Sequence, residues 1–275
     1  MTYLLIGVNV GVFVTTPAAT VVADNATLAD LCAQQAFYIE WGAIPRELVN
    51  NQQLPLVPTG ETGLGPQGPG CVVSRPDYDK IPALSAFTSM FLHGGWLHLL
   101  GNMLYLAIFG NNVEERMGRL RFLGFYLAVG FIACYGYAFA FASTTQPLVG
   151  ASGAVSGVLG AYLVLYPRAP VWSLVPVLFF IPLRLPAWFV LGLWFVLQWA
   201  YSAGYAVSEA GSVAYLAHVI GFVLGVLAGL PLRRNDRRAP PASGYPPLRY
   251  PPPYPYPPSG PYYPGSRWRR PPRPW

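Results

Sequence analysis

The sequence predicts an all-α polytopic membrane protein with six transmembrane helices and a disordered, proline-rich C-terminal tail. Of its 275 residues, 53% are hydrophobic and only 10% are charged, whereas roughly a quarter are charged in an ordinary soluble domain. No charged side chain occurs from residue 122 to residue 167, a stretch long enough for two helical spans of about 20 residues each. The basic residues concentrate in the tail instead of forming a basic face on a folded domain, which excludes nucleic-acid binding.

Six apolar stretches are the expected spans, and in chain order they are 3–22, 95–111, 120–142, 149–166, 186–203 and 213–232. The first has Ala18 and Ala19 before Asp24, as a signal peptide would, but no Lys or Arg precedes it. This favours a span whose leader is very short or missing. The stretch 171–186 is interrupted by prolines and by Arg184. It is predicted to be an interfacial segment that leads into the fifth span.

The distribution of charge predicts the orientation in the membrane. With six spans, residues 112–121, 167–185 and 233–275 lie on the same side as both termini, and they hold fourteen of the seventeen Lys and Arg residues. The opposite side holds eight of the eleven acidic residues. Because short basic loops stay in the cytoplasm, both termini are expected to be cytoplasmic, in a multi-pass protein of the cell (plasma) membrane.

Residues 24–80 are polar and rich in proline and glycine, and they are predicted to form one long, irregular extracytoplasmic loop. Cys32 and Cys71 both lie in this loop, where either a disulfide or two unpaired thiols fit the sequence. Cys134 lies alone in the third span and is expected to be a small packing residue. Residues 1–232, this loop included, are predicted to form one membrane domain.

The tail, residues 233–275, has a composition typical of disorder. Residues 239–275 contain fifteen of the thirty prolines and six tyrosines, and such a sequence cannot bury a core. Polyproline II character is therefore expected. The nine arginines of the tail are predicted to contact anionic lipid headgroups, with the docking of a partner protein as the alternative.

Four of the polar residues within the predicted spans are functional candidates, because strongly polar groups are costly in a membrane. His98 and Asn102 are four residues apart on one face of the second span. Counted at ~1.5 Å per residue from the preceding turns, Asn102, Ser152 and His218 all lie roughly 8–12 Å below the outer surface. A serine nucleophile needs a base within hydrogen-bond reach, so Ser152 and His218 are predicted to form a catalytic dyad. His98 and Asn102 are predicted to be the oxyanion donors.

Small residues repeat at intervals of four in the two helices that carry the predicted dyad. They are Gly153 and Gly157 in the fourth span, and Gly221, Gly225 and Gly229 in the sixth. Such repeats let helix backbones approach closely, which would bring the serine to the histidine. The alternative is purely structural, because these repeats are first of all packing motifs and polar membrane residues often only link helices.

Four motifs follow one another along the chain. They are Phe91-Leu92-His93-Gly94-Gly95-Trp96-Leu97-His98-Leu99-Leu100-Gly101-Asn102, Val113-Glu114-Glu115-Arg116-Met117-Gly118, Gly150-Ala151-Ser152-Gly153 and Ala217-His218-x-x-Gly221. Each is weak alone, but as a set they resemble the motifs of rhomboid intramembrane serine proteases. The resemblance covers about residues 1–232.

The resemblance implies a six-helix rhomboid-like bundle that hydrolyses a peptide bond in or near a transmembrane segment of another membrane protein. It implies Ser152 as the nucleophile and His218 as the general base. The implied oxyanion hole consists of His98, Asn102 and the backbone N–H of Ser152. No metal and no organic cofactor is implied, and the implied partners are transmembrane protein substrates within the lipid bilayer.

Further family positions match His93, which is expected to act in structure or in water organisation, and the pair Glu114 and Arg116, which is expected to be structural. Some family members carry an aromatic residue four positions after the serine, beneath the histidine ring. Here that residue is Ser156, which leaves the orientation of His218 undetermined. The alternative function is a non-catalytic rhomboid-like protein that binds transmembrane helices. Such relatives typically lack the serine or the histidine, and this chain has both.

Overall fold

The computed structural model describes residues 1–19, 26–65, 68–175, 181–205 and 214–238. Within these residues the chain is mostly helical, with two short 3₁₀ turns at Pro17–Ala19 and Ser89–Phe91. The helices are α1 (Thr2–Val14), α2 (Leu28–Trp41), α3 (Pro45–Asn50), α4 (Pro82–Thr88), α5 (Trp96–Met117), α6 (Arg119–Ala140), α7 (Ser152–Leu165), α8 (Ala187–Tyr205) and α9 (Tyr215–Arg238). The strands are β1 (Val57–Gly65), β2 (Gly68–Ser74), β3 (Pro170–Val175) and β4 (Ile181–Pro186). The tail from residue 239 onwards, predicted to be disordered, lies outside the described residues.

Helices lie at all six positions where the sequence predicts a span. Among the described helices, three segments are long and apolar enough to cross a membrane, and they are Arg119–Ala140, Ala187–Gly204 and Tyr215–Arg233. Helices α1 and α7 are apolar but shorter, with 13 and 14 residues. Helix α5 has 22 residues and carries charged side chains near its C-terminal end. The chain is therefore a membrane protein with several apolar helices.

Helix α7 is the central helix of the bundle and packs against α5, α6 and α8. Ten of its fourteen residues are buried, because its sequence is a run of small and aliphatic residues without a charge. Large side chains of α5 and α6 fill the space beside it, among them Leu106, Phe109 and Phe122, each at most 2% exposed. Since lipid is as apolar as these side chains, close packing holds the helices together more than transfer out of water does.

Helices α5 and α6 are joined by the single residue Gly118. Its φ is +81°, a conformation that glycine adopts without the strain other residues suffer. The Gly118 N–H donates to the carbonyl of Glu114 at 2.7 Å and so closes the last turn of α5. One glycine is therefore enough to end one helix and start the next.

The prediction that residues 24–80 form one irregular loop is wrong. The described part of this segment, residues 26–80 and here named the connecting segment, folds into α2, α3 and the β1–β2 hairpin. Cys32 of α2 is disulfide-bonded to Cys71 of β2, with 5.4 Å between their Cα atoms. A capping box starts α2, in which the Thr27 side chain accepts from the Asp30 N–H and the Asp30 carboxylate accepts from the Thr27 N–H. Glycine and proline content is typical of loops, but the capping box and the disulfide order this segment.

A buried ion pair closes the connecting segment. The Lys80 Nζ lies 2.7 Å from the Glu47 carboxylate, and the two side chains are 4% and 0% exposed. The Lys80 ammonium also donates to the carbonyls of Ile39 and Gly42, while the Glu47 carboxylate accepts from the Leu54 N–H at 2.9 Å. Both charges therefore have several partners, as burial of charge requires.

The interfacial segment predicted for residues 171–186 is an antiparallel β-hairpin in its described part. Strands β3 and β4 pair from Pro170 opposite Pro186 to Val175 opposite Ile181. The guanidinium of Arg184 lies over the ring of Trp172, 4.4 Å from its centroid. The described part of the stretch is thus not a helix, and residues 176–180 between the two strands lie outside the described residues.

Candidate active site

Ser152 is the first residue of α7 and is presented by the turn that precedes the helix. Gly150 in this turn has a φ of +128°, which favours glycine. A Cβ atom at this position would also lie 2.8 Å from Nε2 of His98. The Gly150 N–H donates to the carbonyl of Ser89 at 2.9 Å. The turn therefore holds Ser152 close to the His98 ring, and only glycine fits at its centre.

The side chain of His218, in the first turn of α9, reaches Ser152. Its Nε2 lies 2.7 Å from the serine Oγ, although the two residues are 66 positions apart. Both side chains are half-buried. At this distance the serine hydroxyl can donate to a neutral imidazole, the arrangement in which histidine acts as a general base. The two residues of the predicted dyad are therefore in direct contact.

This contact is within reach because the backbones of α7 and α9 touch. A Cβ atom at Gly221 would overlap the carbonyl oxygen of Gly153, and one at Gly225 would overlap that of Gly157. A Cβ atom at Gly160 of α7 would overlap a carbonyl oxygen of α9. Small residues on both helices thus produce the close approach expected from such repeats.

The second ring nitrogen of His218 is bonded by a residue that the sequence did not identify. Gln198 of α8 places its Oε1 2.7 Å from Nδ1 of His218. Because an amide oxygen can only accept, the ring proton lies on Nδ1, and the lone pair on Nε2 faces Ser152. Gln198 belongs to no motif. The signal that was available is its amide in the middle of a largely apolar helix, since polar groups inside membranes are costly.

The face of the His218 ring is covered by Trp194 of α8. The two ring centroids are 6.2 Å apart with 29° between the planes. Tyr215 meets the same ring edge-on, with centroids 6.3 Å apart. At the position where some family members carry an aromatic residue, the Ser156 hydroxyl donates to the Ser152 carbonyl at 2.6 Å. Aromatic cover for the histidine therefore comes from α8 and not from α7.

His98 lies in the first turn of α5, and a backbone hydrogen bond orients its ring. The Gly94 N–H donates to Nδ1 of His98 at 3.3 Å, so the proton of the neutral ring lies on Nε2. This Nε2 faces the turn at Gly150, two residues before Ser152. A donor at that point suits an oxygen that becomes negative beside the serine.

Asn102 lies one turn further along α5 and is 7% exposed. Its Nδ2 donates to the His98 carbonyl at 3.0 Å, which leaves the second amide hydrogen for another acceptor. The structure therefore places Asn102 against His98, on the side of α5 that carries the predicted oxyanion donors.

His93 lies in the loop before α5 and packs against the His98 ring. The side chain is buried, and the two imidazole rings meet edge-to-face with centroids 5.1 Å apart. Burial lowers the pKa of His93 to about 4, and the neighbouring His98 acts in the same direction, so the His93 ring is neutral at pH 7. The Tyr38 hydroxyl of α2 donates to the His93 carbonyl at 2.7 Å. The connecting segment thus helps to fix the loop that carries His93.

The connecting segment also holds the loop that leads to Ser152. Ala43 and Leu148 form an antiparallel bridge in which the Leu148 N–H donates at 2.7 Å and the Ala43 N–H donates at 3.2 Å. The Arg46 N–H donates to the Thr144 carbonyl at 3.1 Å. The connecting segment therefore fixes the loop that precedes Ser152.

A cavity of about 40 Å³ lies beside Ser152. Its walls are mostly small or apolar residues and include Met90, Gly130, Cys134 and Ala217. Roughly 10–15 Å³ of such space is enough to hold one water molecule. The cavity can therefore take a water molecule, and its mostly small or apolar lining suits a small apolar group.

Glu114 and Arg116 lie at the opposite end of α5. The Glu114 carboxylate accepts from the Thr2 N–H at 2.7 Å and so attaches the start of α1 to α5. The Arg116 guanidinium lies 5.9 Å from the centroid of the Tyr166 ring. Both contacts tie helix ends together and are remote from Ser152 along the helices.

Similarity to known proteins covers most of the helical region. The Rhomboid domain family model matches residues 83–235, more than half of the chain. Rhomboid protein 1, mitochondrial, of Saccharomyces cerevisiae is 32% identical over 150 residues, which are 53% of this chain and 41% of the yeast protein. The putative rhomboid protease YdcA of Bacillus subtilis is 39% identical over 80 residues, 28% of this chain and 38% of that protein. Rhomboid protease GluP of Bacillus subtilis is 43% identical over 76 residues, 28% of this chain and 14% of that protein.

The chain spans less than half the length of each of these relatives. The region matched by the family model nevertheless contains helices α5 to α8 and most of α9, and with them the four predicted site residues, His98, Asn102, Ser152 and His218. Because the match extends over more than half of its residues, this chain belongs to the rhomboid family.

Proposed function

We propose that this chain is an intramembrane serine endopeptidase that cleaves transmembrane segments of other membrane proteins. The observation that carries the proposal is the 2.7 Å separation of Ser152 Oγ and His218 Nε2. The family also includes proteins named as proteases, GluP of Bacillus subtilis among them. A serine in contact with a histidine, inside a membrane protein of this family, supports proteolysis better than passive binding.

In the proposed reaction, Ser152 Oγ attacks the scissile carbonyl carbon while its proton passes to Nε2 of His218. The tetrahedral intermediate collapses as the imidazolium returns that proton to the leaving amine, and an acyl ester on Ser152 remains. Water attacks this ester with His218 again taking the proton, which then returns to Ser152 as the product leaves as a carboxylic acid and ionises in water. The bond-making and proton-transfer steps of this reaction involve only these two side chains and one water molecule.

Three groups of this chain are proposed to stabilise the oxyanion. The Ser152 N–H is the first of α7, and the first N–H groups of a helix lack intrahelical partners and carry a positive partial charge. His98 offers Nε2–H, because its Nδ1 accepts from Gly94. Asn102 offers the amide hydrogen that is not bonded to His98. Removal of one such donor typically costs about 2.7–4 kcal/mol of transition-state stabilisation.

The substrate residue next to the scissile bond is proposed to be small. The cavity beside Ser152 has a volume of about 40 Å³ and a lining of mostly small or apolar residues, which suits a methyl-sized side chain. Gly130 and Cys134 of α6 are among the residues that limit it.

Six spans are proposed, formed by α1, α5, α6, α7, α8 and α9, with both termini in the cytoplasm of a cell whose plasma membrane holds the protein. The 14 residues of α7 correspond to roughly 21 Å, about 9 Å less than the bilayer core. That difference agrees with a helix whose first residue, Ser152, lies below the outer surface. A substrate helix would meet the site from within the bilayer.

The proposed domains are the membrane domain, residues 1–232, and the tail, residues 233–275. The last turns of α9 contain Arg233, Arg234, Arg237 and Arg238, which supports a cytoplasmic end next to anionic lipid headgroups. Contact of the tail with lipid is therefore favoured over the docking of a partner protein.

The first test is labelling of the detergent-solubilised protein with a fluorophosphonate probe. We expect wild type to label, and Ser152→Ala and His218→Ala to lose labelling by more than 100-fold, because the first removes the nucleophile and the second its base. Ser156→Ala is the matched control, since it removes a hydroxyl one turn further along α7 that bonds only to its own helix. Thermal unfolding of each variant verifies that it is folded.

Two results would contradict the proposal. One is folded wild type that does not label, and the other is equal labelling of Ser152→Ala. Either would favour the alternative, a non-catalytic rhomboid-like protein that binds transmembrane helices.

A further inference from the structure

We propose that Gln198 of α8 is a positioning residue for the general base. Its amide oxygen accepts the Nδ1 proton of His218 and so keeps the Nε2 lone pair directed at Ser152. This inference rests on the proposed protease function, and it adds a third side chain, from a third helix, to the serine and the histidine.

Two short hydrogen bonds on opposite sides of one ring carry the inference. Gln198 Oε1 lies 2.7 Å from Nδ1, and Ser152 Oγ lies 2.7 Å from Nε2 of His218. A neutral imidazole has one donor and one acceptor nitrogen, and the bond made by one nitrogen decides the role of the other. With the amide oxygen on Nδ1, Nε2 is the acceptor that the proposed reaction requires.

The position of Gln198 is defined by the packing of one face of α8 against α9. Trp194, four residues earlier, stacks on His218 and lies 5.9 Å from the ring of Phe222. Tyr201, three residues later, lies 5.2 Å from the ring of Tyr215. Residues at these spacings share one face of a helix, so Gln198 lies between two aromatic contacts that both hold α8 to α9.

The amide also matters after the proton has moved. Once Nε2 has taken the serine proton, the ring is positively charged and its Nδ1–H donates more strongly to the amide oxygen. Gln198 therefore stabilises the imidazolium relative to the neutral ring. A residue that only filled space would not change this balance.

Few other groups act on the charge of the His218 ring. Among the residues that the structure describes, the titratable side chains found against it are Tyr215 of α9 and His98 of α5, and it also contacts Ser152 of α7 and Trp194 of α8. Since no described carboxylate is among these, a change at Gln198 is expected to dominate the pH dependence of the base.

The experiment measures the rate of fluorophosphonate labelling from pH 5 to pH 9 in detergent, separated into the maximal inactivation rate and the probe concentration for half-maximal rate. Gln198→Met keeps the length of the side chain and removes the acceptor. Gln198→Glu keeps an acceptor and adds a negative charge. Leu197→Met, at an exposed neighbouring position of α8, is the matched control.

For Gln198→Met we expect the maximal rate to fall about 10- to 100-fold, as for other residues that orient a histidine, with the half-maximal concentration unchanged within twofold. The acid limb of its pH profile should move to lower pH, because the imidazolium loses its acceptor. For Gln198→Glu the acid limb should move to higher pH, and the maximal rate should recover to within a few-fold of wild type. Leu197→Met should match wild type.

The inference is overturned if Gln198→Met labels like Leu197→Met, or if both Gln198 variants lose rate with the acid limb unmoved, which is the result for a merely structural role. If Gln198→Met fails to fold, the pH shift of Gln198→Glu decides. The ¹⁵N spectrum of the histidine rings in wild type gives an independent answer, since a His218 ring protonated on Nε2 at pH 8 contradicts the inference. Failure of wild type itself to label at Ser152 would overturn the proposed function, whereas a labelling wild type with an indifferent Gln198 would overturn this inference alone.

Discussion

His98 and His218 are each held in one tautomer by a neighbour that carries no charge. The Gly94 N–H bonds Nδ1 of His98, and the amide of Gln198 bonds Nδ1 of His218. The two bonds have opposite polarity, so the first ring presents a donor and the second an acceptor to the region of Ser152. Under the proposed function, one residue type thus supplies both an oxyanion donor and a base.

The burial of His93 predicts a pH dependence of stability. Its pKa is lowered to about 4 in the folded protein, whereas an unfolded histidine has a pKa near 6.5. The folded state therefore binds fewer protons, and its stability is full above pH 6.5 and declines as the pH falls towards 4. Between pH 7 and pH 5, wild type should lose about 2 kcal/mol more unfolding free energy than His93→Phe.

Unfolding in detergent at both pH values measures this difference. Comparing the two proteins cancels the contributions of carboxylates that both contain. If both proteins lost the same unfolding free energy on acidification, the folded protein would bind a proton at His93 as readily as the unfolded chain does, and this prediction would be wrong.

Among the residues of the candidate site, those that lie within motifs could be predicted from the sequence, and those outside any motif could not. Ser152 and His218 could be proposed as partners because both lie at the same expected depth in their spans, and glycine repeats accompany both. Gln198 could not, because its role depends on α8 lying beside α9, and no local pattern encodes that packing.

Between elements, the contact of α7 with α9 predicts a marked difference between two glycine substitutions. In Gly225→Ala the new methyl group would overlap the carbonyl oxygen of Gly157, so the helices must separate, at a cost of about 3 kcal/mol. Gly124→Ala in α6 is the control, since its methyl group would meet no other atom within 4 Å. That control should be neutral or stabilising by about 1 kcal/mol through helix propensity.

Thermal unfolding and fluorophosphonate labelling together check this prediction. Gly225→Ala should lower both the unfolding temperature and the labelling rate, because separation of the helices moves His218 away from Ser152. If the two variants unfold and label alike, the close contact is not what holds the dyad together.

The disulfide predicts that a reducing agent weakens the connecting segment. Cys32 and Cys71 are 39 residues apart, and opening a loop of that length costs about 4 kcal/mol in the chain-entropy model. Wild type should therefore unfold at a lower temperature when a reductant is added. The double variant Cys32→Ser/Cys71→Ser should unfold at that lower temperature without a reductant, and adding one should not change it. A wild type indifferent to reductant would contradict the stabilising role.

Among elements, the apolar helices followed from the sequence and the connecting segment did not. Long uncharged stretches indicate helices by composition alone. The order of α2, α3 and the β1–β2 hairpin instead depends on pairings that are distant in sequence, such as Cys32 with Cys71 and Lys80 with Glu47. The hairpin of β3 and β4 was likewise hidden, because its prolines and apolar residues fit an interfacial segment equally well.

For the molecule as a whole, the proposed topology predicts where reporter proteins function. Alkaline phosphatase, which is active only outside the cytoplasm, should be active when inserted after Gly65 in the β1–β2 hairpin. Green fluorescent protein fused after Arg238 should be fluorescent, because the end of α9 is proposed to be cytoplasmic. The reverse pattern, an inactive phosphatase and a dark fusion, would invert the topology.

The close contact of α7 with α9 has a further consequence for how the proposed protease activity is regulated. Ser152 and His218 lie on two helices whose backbones touch, so their alignment is complete once these helices have packed. Under the proposed function the two residues need no rearrangement to become reactive, and a small reagent needs no substrate present to react with the serine. The extent of proteolysis then depends on which polypeptides share the membrane with this protein and on which of them can enter its site.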